Sequence, residues 1–228
     1  MQSTQLMGSG EDEAQPGLIA PTRIIERERH GVSEVDLQRA HLYGLLAHVL
    51  GKPLDDVTLV SLRTLQSEFG NSDTELGKAL ASLGAIACRT VRAVAEEEYT
   101  LLFYGMGSGG ELNPYASHYL TGFVYEKPLA NLRRDMAALG IAASGISSEP
   151  EDHIAYLCEI MHGLITGEFG EIADLETQKN MYVNHMAPWV GQFFADLEGA
   201  EAATLYMLVG SIGRNFMAIE ADAFEISA

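Results

Sequence analysis

Apolar residues recur along this chain at intervals of three and four, and that spacing constrains the fold more than any other feature. Leu42, Leu45, Leu46, Val49 and Leu50 follow it, as do Leu76, Leu80, Leu83, Ala87, Val91 and Val94. Further on, the same interval links Ile154, Leu157, Cys158, Met161, Leu164 and Ile165, and later Leu205, Leu208, Val209, Ile212, Phe216 and Ile219. A helix turns about 100° per residue, so this spacing lines one face, whereas a half-buried strand needs strict alternation. No alternation appears, and aromatics make up only 8% of a chain that is 47% hydrophobic, a balance that suits helices over sheets. The expected fold class is all-α: a single-domain bundle of about eight to ten helices in two halves.

Punctuation divides these stripes. Ser33, with Asp36 three residues on, reads as a helix cap, and Gly51-Lys52-Pro53 as a stop. A second helix is expected from Asp55 or Asp56 to Phe69, and the Leu76–Val94 stripe reads as one long helix with a continuous apolar face. Pro114 to Tyr125 reads as a short helix, and Pro128 opens another that runs through Leu139. In the C-terminal part, a helix is expected from about Glu171 to His185 or Met186, broken by Pro188. Residues 1–31, rich in polar residues, read as a flexible N-terminal arm. The helical domain then spans 32–225, as an N-terminal half 32–139, a small-residue hinge 140–148 and a C-terminal half 149–225.

Charge narrows the function classes. A formal charge of −18 repels nucleic-acid phosphates and anionic lipid heads, so neither is an expected partner. Basic partners are attracted, though acidity also simply keeps a protein soluble. Cys88 and Cys158 fit neither a metal-ligand spacing nor a disulfide framework, and both read as reduced, buried small hydrophobes. No secretory pattern opens the chain and no apolar run is long enough to span a bilayer, so a cytoplasmic protein without membrane insertion is expected.

Enzyme motifs fail on context. The loop from Gly105 to Asn113 is glycine-rich, but no strand precedes it and no Lys-Ser or Lys-Thr follows it, which removes the Walker and Rossmann readings. There is no HExxH, GxSxG or paired-cysteine motif, and no metal, cofactor or catalytic residue is expected.

Three segments carry something beyond packing. Ser148-Glu149-Pro150-Glu151-Asp152-His153 reads as a capped helix start, with Ser148 the N-cap, Glu151 its capping-box partner and Pro150 in the first turn. Helical geometry would turn Asp152 away from the Ile154 stripe, toward Tyr156 and Glu159, with His153 at its border. Acid, imidazole and aromatic would then stand beside the hinge, able to take a guanidinium group, although helix-start chemistry alone also accounts for most of the segment. Tyr99-x-x-Leu102-Phe103, with Pro114-Tyr115-x-Ser117-x-Tyr119, either packs a loop onto the core or lines a groove. In His185-Met186-x-Pro188-Trp189-x-x-x-Phe193, the rings read as core and His185 as a cation at a helix C-terminus.

These three segments, in this order, resemble the TorD/DmsD-type family of cytoplasmic chaperones for molybdenum redox enzymes. Glu149-Pro150-x-Asp152-His153 resembles the family's hinge signature, and the tyrosine and Trp189 segments resemble its flanking motifs, over about residues 33–222. The resemblance implies a chaperone that binds the apo catalytic subunit of a molybdopterin-dependent oxidoreductase, its twin-arginine signal peptide, or both, and assists cofactor insertion and export proofreading. It implies client-binding roles for Asp152 and His153, and by extension for Glu149, Tyr115, Ser117 and Tyr156. It also implies a monomer or a dimer swapped about the hinge. Two alternatives stand beside it: an assembly factor for a non-exported molybdoenzyme such as a formate dehydrogenase, and a nucleotide-binding hydrolase using the glycine loop. Relative to the family, that loop is richer in glycine and the N-terminal arm is longer.

Overall fold

A computed structural model describes residues 31–105, 109–142 and 149–226. Ten α-helices and one π-turn are found among the described residues, with no strand beyond an isolated bridge between Tyr115 and His153. The arm, most of the hinge and Ser148 lie outside the described residues.

The helices begin where backbone donors find acceptors. Helix α1 (Glu34–Gly51) is capped by Ser33, which accepts from the Asp36 N–H, and α2 (Asp56–Phe69) by Asp55, which accepts from Thr58. Each cap satisfies one of the orphan N–H groups of a first turn. Helix α3 runs from Glu75 to Ala87 and α4 from Arg92 to Tyr99, so the expected single helix is two. The cause lies outside the segment: Arg63 of α2 donates to the carbonyls of Ala87 and Thr90, at 3.0 and 3.4 Å, and takes acceptors a continued helix would need. Val91 and Val94 consequently face water, at 62% and 53% exposure, instead of extending the Leu76–Leu83 stripe. Cys88, at the end of α3, is exposed as well, while Cys158 is buried as expected.

After α4 the chain widens into a π-turn over Thr100–Tyr104, closed by the Gly105 N–H on the Thr100 carbonyl at 2.7 Å. It then doubles back, and Glu111 and Leu112 donate to the carbonyls of Leu101 and Leu102. That return explains the glycines. A Cβ at Gly105 would collide with the Gly109 carbonyl, and one at Gly110 with the Phe103 backbone. Gly105 also has φ 70°, which L side chains resist.

Helices α5 (Ala116–Thr121) and α6 (Lys127–Ala138) follow, and α5 is shorter than the sequence suggests because Gly122 ends it in the left-handed conformation. Past the hinge come α7 (Ile154–Thr166), α8 (Leu175–His185), α9 (Val190–Gly199) and α10 (Leu205–Ile226). Helix α8 starts at Leu175 and not near Glu171, because Asp174 caps it by accepting from Thr177. The two halves share one core. Helix α1 packs along α7, and α10 packs on α3, α1 and α4.

Buried carboxylates tie the last helix to the rest. Glu220 of α10, fully buried, accepts from Arg39 Nε at 2.7 Å, from Arg39 Nη2 at 2.8 Å and from the Tyr43 hydroxyl at 2.9 Å. Burial opposes the Arg39 charge, but Glu220 and Asp36 outweigh it and hold the guanidinium above its usual range. The buried Tyr43 phenol is pushed up by desolvation and then by Glu220. At the other end, Glu98 of α4 accepts from the N–H groups of Thr204 and Tyr206, both at 2.7 Å, and so caps α10 from a distant part of the chain. Removing one partner of a buried ion pair strands the other, at about 3–5 kcal/mol. Glu220→Ala should therefore lower unfolding free energy by about that amount, read as a fall in the urea midpoint with an unchanged slope. Glu198→Ala, which breaks the surface pair with Arg214, should cost under about 1 kcal/mol.

Candidate functional site

The site is assembled where two helix starts are stitched together. Ala116 N–H donates to the Asp152 carbonyl at 3.0 Å, and Ile154 N–H donates to the Pro114 carbonyl at 2.9 Å. These bonds pair Tyr115 with His153 in antiparallel register, their rings edge to face at 5.1 Å. Tyr115 has no side chain able to cap α5. The Asp152 carboxylate does so instead, with Oδ2 accepting from the Ser117 N–H at 2.8 Å across 35 residues.

This arrangement corrects the local reading of Glu149–His153. Helix α7 begins at Ile154, not in the Ser148–Glu151 segment, and its N-cap is His153. Pro150 to His153 form a turn closed by the His153 N–H on the Pro150 carbonyl at 3.1 Å. Glu151 bonds Arg133 at 2.8 Å instead of reaching back to a helix cap. Asp152 and His153 do not face solvent: they are 1% and 5% exposed. The backbone pairing with α5 overrides helix-start chemistry and turns both side chains inward.

The chemistry of each candidate residue follows from that packing. His153 Nδ1 accepts from the Ala155 N–H at 3.1 Å, which requires a bare lone pair there and hence a neutral ring protonated at Nε2. Desolvation agrees, lowering His153 to about 4. Ser117 is fully buried, and its hydroxyl accepts from the Glu126 N–H at 3.3 Å. The Tyr115 hydroxyl donates a short bond to Glu149. Burial first, and then Glu149, raises the Tyr115 phenol well above its usual range. Tyr156 is half-buried on α7 and does not line the cavity described next.

Beside Asp152 lies a cavity of about 320 Å³. Ala116 and Leu120 come from α5, Pro128, Asn131, Leu132, Arg134 and Asp135 from α6, Leu157 from α7, and Asn184 and His185 from α8. The three sequence motifs, far apart in the chain, thus meet around one space. His185 bonds Asp135 at 2.9 Å. Its carbonyl accepts from the Trp189 indole at 2.8 Å. Arg134 first, and then His185, hold Asp135 below the usual carboxylate range. Tyr119 bridges the motifs through rings, lying 5.3 Å from Trp189 and 5.9 Å from Phe193, and its hydroxyl donates to Asp196 at 2.9 Å.

One atom of Asp152, a residue that lines this cavity, stands out. Asp152 Oδ1 is buried and has no hydrogen-bond partner among the described residues. A buried acceptor left unpaired costs about 1–3 kcal/mol, more if charged, so the position carries a standing preference for a donor. No cluster of three or more His, Cys, Asp or Glu able to hold a metal occurs among the described residues.

The family model for the nitrate reductase delta subunit matches residues 70–195, more than half of the 228-residue chain. The chain belongs to that family. The matched stretch contains all three motifs, in agreement with their TorD-type resemblance. The fold is similar to the crystal structure of a proposed redox enzyme maturation protein from Archaeoglobus fulgidus, with a TM-score of 0.51 and 20% sequence identity over 80% of this chain and 93% of that one. At that identity the likeness concerns the fold alone. No curated protein sequence matches the chain.

Of the residues lining the cavity of this delta-subunit family member, the sequence singled out Asp152 as a candidate and read His185 only as a cation at a helix end, while Asn131, Asp135 and Asn184 received no reading. Asn131, Arg134 and Asp135 are spaced as one helix face, and that polar stripe on α6 was the available signal. The protonation state of His153 gives a test. Its folded pKa lies below the unfolded value, so the unfolded state binds more protons between about pH 4 and 6.5, and stability falls as pH drops through that window. Between pH 7 and pH 5 the loss from this residue should be about 2 kcal/mol. His153→Asn keeps a capping acceptor and should remove that share of the acid sensitivity, measured by urea unfolding at the two pH values.

Proposed function

We propose that this protein is a maturation chaperone for a molybdenum redox enzyme, and that it takes a cationic side chain of the client's apo catalytic subunit or leader peptide into the cavity beside Asp152. Membership of the nitrate reductase delta subunit family supports the chaperone class. The observation that carries the binding reading is the unpartnered, buried Oδ1 of Asp152, a residue that lines the cavity where all three motifs converge. A guanidinium offers several N–H donors in a fixed fork, which suits a carboxylate with one oxygen committed and one open. The cavity is at the small end of ligand-site volumes, sized for a side chain and its adjoining backbone.

In this reading the candidate residues divide by role. Asp152 touches the client. His153, Tyr115, Glu149 and Ser117 hold its carboxylate in place through the paired backbones and the trans cap, and Tyr156, half-buried on α7 outside the cavity lining, takes no direct part. A net charge of −18 favours encounter with a basic segment and makes it salt-dependent. The working place of such a chaperone is the cytoplasm, before export of its client. No helix among the described residues is long and apolar enough to cross a membrane.

Calorimetric titration with a twin-arginine leader peptide, and with the apo catalytic subunit of a molybdoenzyme from the same cell, tests the reading. Asp152→Asn preserves an acceptor for the Ser117 N–H and so the fold. It should weaken binding at least tenfold, since a charge-assisted hydrogen bond contributes about 1.5–3 kcal/mol. Added salt should weaken wild-type binding. If the leader fails to bind while the apo subunit body does, the chaperone serves the body of its client. If neither binds, the proposed function is wrong.

A further inference from the structure

The turn between α7 and α8 leaves an apolar strip uncovered. Phe169, Ile172 and Leu175 recur at every third residue and are 44%, 41% and 46% exposed. The first two rest on the C-terminal end of α7. The Phe169 ring lies against Gly163, where a Cβ would strike it, and the Ile172 side chain lies against Gly167 in the same manner. Beside them the Ala173 N–H donates to the Leu164 carbonyl at 2.8 Å, and Asp174 caps α8 by accepting from the Thr177 N–H at 2.8 Å. Leu175 is the first residue of that helix. The strip is therefore fixed to the fold, and apolar side chains held in the open beside charged neighbours mark an interaction surface.

The neighbours decide what fits there. Glu168, Glu171, Asp174 and Glu176 alternate with the strip, and residues 168–176 contain no Lys, Arg or His. A complementary occupant is apolar and basic at once. The chain carries such a segment next to the strip. Gly31 sits at its edge, where a Cβ would stand 3.4 Å from Ile172 Cδ1. The residues just before it, Arg23-Ile24-Ile25-Glu26-Arg27-Glu28-Arg29-His30, hold three Arg against two Glu, in a chain whose net charge is −18. Residues 1–22 hold no Lys or Arg. Ile25 is six residues from Gly31, which gives it a reach of about 20 Å. Joining a segment so close in the chain costs little closure entropy and gives it an effective concentration that no separate partner matches.

We propose that the Arg23–His30 segment of the chain's own arm docks on the Phe169–Leu175 strip, with Ile24 and Ile25 covering its apolar side chains and Arg27 and Arg29 meeting Glu171 and Glu176. Apolar cover supplies the contact area, and opposite charge sets which segment takes it. The strip follows the end of α7 and Asp152 precedes its start, so the 13 residues of that helix separate the two by about 20 Å. Docking of the arm is thus independent of the client site and of the function proposed above.

Disulfide trapping in the full chain tests it. The exposed Cys88 is replaced by Ser, while the buried Cys158 stays, and Glu26→Cys is paired with Glu168→Cys, which leaves every proposed contact in place. Mild oxidation should close a cross-link within one chain. Adding Ile24→Ser with Ile25→Ser, or Arg27→Glu with Arg29→Glu, should slow closure at least tenfold, and added salt should slow it as well. In a second measurement, Ile172→Ser with Leu175→Ser should speed tryptic cleavage at Arg27 and Arg29 at least tenfold over wild type, with the arm's own sequence unchanged. Urea unfolding checks that this variant is folded; if it is not, the arm substitutions decide alone. Equal closure rates with and without those substitutions would reduce the cross-link to tethering and overturn the docking. A cross-link formed only between two chains would assign the strip to a second copy, against the proposal. Slower closure on adding a basic client peptide would assign the strip to the client and overturn it too.

Discussion

The backbone stitch between Pro114–Ala116 and Asp152–Ile154 is the joint on which the site depends. Two short bonds hold two helix N-termini side by side, and the Asp152 carboxylate adds a third by capping α5. Once that register is set, little about the neighbourhood is free. Tyr115 and His153 must face each other, Ser117 must be buried, and the Asp152 side chain must turn inward with one oxygen used. Asp152 then lines one cavity together with residues of α5, α6, α7 and α8.

The same device recurs across the molecule. Glu98 caps α10 from α4, and Glu111 accepts from the N–H groups of Glu201 and Ala202 at 2.6 and 3.0 Å. Glu220 gathers Arg39 and Tyr43 in the core. In each case a carboxylate satisfies donors that lie far away in sequence. Part of the chain's acidity is therefore architectural. It closes loop and helix ends over the core, and only the remainder shapes the field that a partner meets.

What could be read from the sequence was what local physics decides. The stripes of α1, α7 and α10, the caps at Ser33 and Asp55, and the proline near the start of α6 follow from periodicity and nearest-neighbour hydrogen bonding. The all-helical class followed with them. Failures fell where a remote group intervened. Arg63 ended α3 from another helix, although the spacing of apolar residues ran on to Val94. At Glu149–His153 the sequence offers a sound capping box, but the segment pairs with Pro114–Ala116 and α7 starts later. The convergence of Asp152 with Asn131, Asp135, Asn184 and His185 was invisible because it brings two helices and the turn before α7 together from distant parts of the chain. The π-turn at Thr100–Tyr104 has no sequence signature of its own; only the glycines that let the chain return over it were visible.

The pairing of α1 with α7, and of Arg39 with Glu220, bears on how the chain is made. Synthesis proceeds from the N-terminus, so α1 leaves the ribosome with its apolar face prepared and its partners not yet translated. Its neighbour α7 lies more than a hundred residues downstream, and the carboxylate that neutralises Arg39 comes 181 residues later. Long-range closure of this kind delays cooperative folding until most of the chain is present. The chain thus passes through an exposed interval of its own, which ends when α10 is complete.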